Sequence, residues 1–136
     1  MAEDPKAVVR GFVEEVQNKG NIDAAGDYIA TDVVDHSPPP GAPPGLEGAN
    51  AVFSAIRSAF PDHDAVVHEM ISEGDLVATR KSFTGTHQGD FFGIPPTGRR
   101  ATIDVIDFVR VHDGKIIEHW NIVDQAGLMH QLGVGA

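Results

Sequence analysis

The chain is expected to fold as an α+β domain, with three N-terminal helices and a short C-terminal helix packed on one face of a curved antiparallel sheet. Three observations predict this. Apolar side chains recur at helical spacing through the first 59 residues. Residues 65–123 instead alternate in extended segments joined by short turn signals. Helical and extended segments are also segregated along the chain rather than interleaved, which favours an antiparallel sheet over a parallel one. A long sheet curled around helices leaves a conical hollow between the layers, a natural seat for a small ligand.

Asp4-Pro5 provides an N-cap and a first-turn proline, and Val8, Val9, Phe12, Val13 and Val16 form one apolar stripe, ended by Lys19-Gly20. Asn21 is placed to cap a second, short helix through Tyr28. The segment DVVDHS, residues 32–37, follows as a brief strand. PPPGAPPG, residues 38–45, cannot be helix interior or central strand, because proline lacks the amide donor. A third helix fits residues 48–59, ended by Phe60-Pro61-Asp62. AVVHEMIS and LVATRKSFTGT then flank the turn EGD, and ATIDVIDFVRV and KIIEHWNIV flank HDG. Between these hairpins HQGDFFGIPPTGRR reads as a structured loop at a sheet edge. Asp124 is the expected N-cap of the last helix, which carries Leu128 and Leu132.

With 136 residues the chain supports one core, and a single domain spanning 1–136 is expected. Ten Lys and Arg against twenty Asp and Glu leave a formal charge of −10, which opposes attraction to nucleic acid or an anionic membrane surface. Without cysteine there are no disulfides, thiolate nucleophiles or cysteine metal sites. No apolar run approaches the ~20 residues a bilayer span needs, and the acidic N-terminus carries no secretory signal, so a cytoplasmic protein is the expectation. A phosphate loop ending in Gly-Lys-Ser/Thr, an HExxH pair and a Gly-x-Ser-x-Gly elbow do not occur. No metal is assigned.

Alternation selects the candidate site. In strand 101–111, Ile103, Val105, Asp107 and Val109 share a face; in its partner, Ile117, His119 and Asn121 share one. If both faces look inward, Asp107, His119 and Asn121 converge on an otherwise apolar wall that includes Val105 and Ile117. Asp35 and His36 leave the short first strand at the mouth of the hollow, and His87 begins the second long loop beside it. Each group also has an ordinary structural explanation: an aspartate paired with Arg80 or Arg110, a satisfied histidine, an asparagine closing a strand. A carboxylate desolvated in such a pocket is expected to titrate nearer neutrality.

Taken together, DHSPPPGAPPGLEG, AFPDHDAVVHEMISEGDLVATRKSFTGTHQGDFFGIPPTGRR and FVRVHDGKIIEHWNIVDQAGLMHQLG resemble the SnoaL-like polyketide cyclase family of the NTF2-like α+β cones. The likeness runs from about residue 7 to 133. It implies a cofactor-free lyase- or isomerase-type reaction on an apolar, carbonyl-bearing small molecule in an apolar cavity, with ring closure by intramolecular aldol condensation. Ungapped alignment of the last block places Asn121 where those cyclases carry their catalytic aspartate, Asp107 where they carry a histidine, and Asp35 near an asparagine. A neutral amide cannot remove a proton. Asp107 is therefore the expected base, His119 or His36 the acid or orienting group, and Asn121 a hydrogen-bonding partner of the carbonyl oxygen. Asp35, Arg80, His87, Val105 and Ile117 are expected at the ligand. Two other functions share this scaffold: a ligand-binding module without turnover, and an epoxide hydrolase built on Asp107, Asn121 and Arg80. The resemblance also implies a homodimer paired through its sheets, with Trp120 at the shared surface.

Overall fold

The structure, a computed structural model, describes residues 4–134. Helix α1 (Pro5–Phe12) starts at Asp4, whose side chain accepts the Lys6 amide, and carries Val8, Val9 and Phe12 on its buried face. It continues as a wider π-helical segment, Val13–Asn18, in which the Lys19 amide reaches back to the Glu14 carbonyl. Arg57 donates to the freed carbonyls of Gln17 and Asn18, at 3.1 and 3.0 Å, and so satisfies this helix end from another element. Gly20 permits the turn that follows: its φ is +74°, and a Cβ there would meet the Arg57 guanidinium. Asn21 does not cap the next helix; its amide donates to Glu15. A short 3-10 turn (Ile22–Ala24) leads instead into α2 (Ala25–Tyr28).

Five strands form one sheet in the order β1-β5-β4-β3-β2. They are β1 (Ile29–Asp35), β2 (Asp64–Glu73), β3 (Leu76–Thr86), β4 (Arg100–His112) and β5 (Lys115–Val123), with α3 (Gly45–Ala59) between β1 and β2 and α4 (Gln125–Leu132) last. The two hairpins pair antiparallel, but β1 lies parallel to β5, with Asp35 opposite His119. That pairing starts β1 three residues earlier than its local pattern, at Ile29. Because β3 and β4 pair along their whole length, the loop 87–99 is a hairpin connection folded over the end of α3, and its Gln88 and Gly89 amides bond the Ala59 carbonyl.

Along β4 buried and exposed residues alternate without a break from Thr102 to His112, apart from the half-buried Ile103 and Arg110. The inner face meets two apolar clusters. One joins α1, the π segment and β1 to Val77, Val109 and Val111; the other joins Ala59, Phe60, Phe91 and Ala101 to Leu128 and Leu132 of α4. The outer face leaves Ile71, Ile106, Phe108 and Ile122 exposed, Ile122 by 76%. Among the described residues no helix is long and apolar enough to cross a membrane.

Candidate active site

Between helices and sheet lies a cavity of about 1380 Å³. The inner faces of β3–β5 form one wall, α3 and the proline-rich loop another, and Phe91, Phe92 and Ile94 of the loop 87–99 lie at its end. Val105 and Val109 belong to the sheet wall, as do Asp107, His119 and Asn121, and Asp35 reaches it from the end of β1.

Strand register assembles the polar groups. Asp107 stands opposite Thr79 on β3 and opposite Asn121 on β5, so the three form one row across the inner face. Two diagonal neighbours close on its carboxylate. His119 Nε2 lies 2.8 Å from Oδ1, and Lys81 Nζ lies 2.8 Å from Oδ2. His119 Nδ1 meets Asp35 Oδ1 at 3.1 Å, and Lys81 also donates to Gln17 Oε1 at 3.2 Å. Asp35 is held in turn by the Ser37 backbone amide, while Ser37 Oγ accepts the Asn121 backbone amide.

Both ring nitrogens of His119 thus face carboxylates that only accept, so the ring carries two protons. Burial opposes that charge, but the bonds to Asp107 and Asp35 win and raise the His119 pKa to about 9. Asp107 is only 7% exposed. Its burial would raise the pKa, yet Lys81 and His119 together outweigh that and lower it to about 2. The expectation of a carboxyl poised near neutrality is therefore corrected: desolvation operates here, but two cations at 2.8 Å exceed it. The Asp35 pKa is also lowered, its burial being overcome by His119 and the Ser37 amide. Two carboxylates and two cations balance within the cluster.

Four expected ligand or catalytic positions lie elsewhere. His36 follows Asp35 on an extended chain and so points to the opposite face; there it bonds Glu118 at 2.9 Å and stacks on Trp120 at 4.5 Å. Arg80 points outward by the same parity and pairs with Glu69, which removes the geometry an Asp107–Asn121–Arg80 hydrolase requires. His87 is fully buried behind the cavity wall against Phe60, with Nδ1 accepting the Thr97 amide, and it ties down the loop 87–99. Ile117 is set aside by a bulge: Arg110 pairs with Glu118 and Val111 with Ile116, so Ile116 lines the cavity in its place.

Lys81 and Thr79 join the site beyond the residues that alternation in β4 and β5 selects. They share the β3 face with Val77 and Phe83, and a lysine on an otherwise buried strand face is itself a signal.

The model of the SnoaL-like polyketide cyclase family matches residues 7–132. Aklanonic acid methyl ester cyclase DnrD of Streptomyces peucetius is 33% identical, the match covering 93% of this chain and 88% of that protein. Nogalonic acid methyl ester cyclase of Streptomyces nogalater is 29% identical over 85% of this chain and 88% of its own. Among solved structures, IdmH of Streptomyces antibioticus superposes with a TM-score of 0.84 at 38% identity, covering 97% of this chain and all of that one. TsrD of Streptomyces laurentii gives 0.87 at 29% identity, covering 98% and 100%. With its cone-shaped α+β fold and a match spanning nearly its whole length, the chain belongs to the SnoaL-like polyketide cyclase family.

Proposed function

We propose that this protein closes a ring in an apolar, carbonyl-bearing small molecule of the polyketide type, by acid–base catalysis without a cofactor. The observation that carries the reading is the Asp107–His119 ion pair set in the wall of a large, mainly apolar cavity. In the aldol route, Asp107 takes a proton from carbon beside a carbonyl, while the Asn121 side-chain amide, joined by the His119 Nε2–H that Asp107 releases on protonation, holds the developing enolate oxygen. The enolate carbon then bonds to a second carbonyl of the same molecule, and the alkoxide so formed takes up the proton, giving a product isomeric with the substrate.

A carboxylate with a pKa of about 2 is a weak base at rest. It strengthens as the reaction proceeds: when the His119 proton moves towards the substrate oxygen, the field that holds the Asp107 pKa down weakens. Acid and base then act together with no net charge created against a mainly apolar wall, where isolated charge is costly.

The esters named in the relatives' activities, aklanonic acid methyl ester and nogalonic acid methyl ester, are the first candidate substrates. Chromatography coupled to mass spectrometry should resolve a product of unchanged mass. Asp107→Asn should slow its formation by roughly 10²–10⁴-fold. Equal rates in the two proteins would end this reading. For assembly, the apolar outer face of the sheet around Phe108 and Ile122 favours pairing with a second copy.

A further inference from the structure

We propose that Gln17 is a positioning residue for ring closure: from the π-helical end of the first helix it holds the Lys81 ammonium on one oxygen of Asp107, and so sets how firmly His119 keeps its proton. The proposal rests on the cyclase reading and adds to it a residue that acts on the Asp107–His119 pair through a third side chain.

The first support is where Lys81 finds its partners. It is 5% exposed and lies on the cavity wall, with the ring centroids of Phe83 and Phe12 at 5.3 and 5.9 Å from Nζ. Those rings offer the ammonium a π-face but no oxygen. Among the described residues its side-chain acceptors are Asp107 Oδ2 at 2.8 Å and Gln17 Oε1 at 3.2 Å. One comes from β4 and the other from the first helix, on opposite layers of the fold. An ammonium held by Asp107 alone can swing about that contact on its flexible stem; a second acceptor fixes it. The fixed position matters because His119 takes the other oxygen, Oδ1, at 2.8 Å. Gln17 thereby keeps two cations on separate oxygens of one carboxylate.

The second is the π segment itself. A π turn is rare, and where a helix retains one it frequently serves a site. The segment Val13–Asn18 closes with the Lys19 amide on the Glu14 carbonyl, and so accommodates one residue more than an α-turn. Its end is pinned from two further elements. Arg57 of α3 donates to the carbonyls of Gln17 and Asn18. The Asn18 side chain accepts the Ala65 amide at 2.7 Å and donates to the Ala65 carbonyl at 3.0 Å, bonding β2 as a neighbouring strand would. Gln17 therefore reaches Lys81 from a backbone that is already fixed.

Charge explains why the brace is an amide. His119 faces Asp107 from β4 and Asp35 from β1, and Lys81 from β3 completes the balance. A carboxylate at position 17 would add a third anion, whereas an amide supplies the acceptor without one. When Lys81 is loosened, Asp107 is less neutralised and holds the His119 proton more tightly.

The test follows Lys81 and His119 by NMR in the full-length protein. In the wild type, near neutral pH and at low temperature, the Lys81 ammonium nitrogen resonance should persist against exchange with water. Gln17→Met keeps the length of the side chain without its oxygen. It should lose that resonance and raise the His119 midpoint by about half a pH unit or more. Gln17→Glu restores an acceptor and should recover the resonance. Folding is checked by circular dichroism, and if Gln17→Met does not fold, Gln17→Leu is read in the same way. A merely structural contact would cost stability and leave the midpoint in place. Absence of the resonance from the wild type, anything short of both changes in the folded variant, or no recovery in Gln17→Glu overturns the proposal. Where ring closure is measurable, its alkaline limb should move upward with the midpoint, and a limb that stays in place also overturns it. Failure of the cyclase reading would appear separately, as absent ring closure at every pH with the wild-type resonance and its response to Gln17→Met intact.

Discussion

Asp107→Asn tests the electrostatics of the site directly, through its effect on His119. The imidazole titrates at about 9 instead of its ordinary 6.5, which corresponds to about 3 kcal/mol of favourable interaction remaining after the opposing effect of burial. Two carboxylates supply it, Asp107 at 2.8 Å and Asp35 at 3.1 Å. An asparagine keeps the shape and can still accept a hydrogen bond, but it removes the nearer charge. The His119 midpoint should therefore fall by at least about one pH unit. It can be followed through the ring-proton resonance by NMR across the titration. The same change leaves Lys81 buried without its counter-ion, so chemical denaturation should show a loss of about 3–5 kcal/mol. A His119 midpoint that stays at about 9 in the variant would refute the reasoning, because the proton would then not be held by Asp107.

Further outcomes follow from the same contacts. Because the folded pKa of His119 lies above its ordinary 6.5, its contribution to stability is complete below pH 6.5 and disappears as pH rises through about 9. For Asp107 the sign is opposite: its contribution is complete above 3.8 and is lost as pH falls through about 2. Thermal unfolding across pH should therefore show the cluster's stabilisation at a plateau from about 4 to 6.5, and ring closure should decline above about 9 as His119 loses its acidic proton. Arg80→Ala should change stability by less than about 1 kcal/mol and leave ring closure intact, since Arg80 pairs with Glu69 on the exposed face; a collapse of activity would place Arg80 at the ligand. Phe108→Asp should convert the expected dimer to monomer in light scattering, and an unchanged mass would remove that sheet face as the interface.

The inner wall was readable in β4 because an antiparallel strand with one dry face alternates, and Asp107 falls on the dry parity with Val105 and Val109. The same rule, applied to β3, would have picked out Lys81 and rejected Arg80, since adjacent residues cannot share a face. It fails at Ile117, where one unpaired residue in β5 shifts the parity of everything before it. His36 and His87 are attractive in composition, yet their partners, Glu118 with Trp120 and Thr97 with Phe60, come from chain segments that only folding brings near.

Local patterning by itself thus determined most of the elements and the residue at the centre of the wall, because periodicity and turn chemistry act between near neighbours, while the family was legible only through the resemblance of whole motifs. Tertiary structure decided the protonation of that wall. Whether burial or pairing wins depends on which charges meet across strands, and Lys81 and His119 reach Asp107 only along diagonals of the assembled sheet.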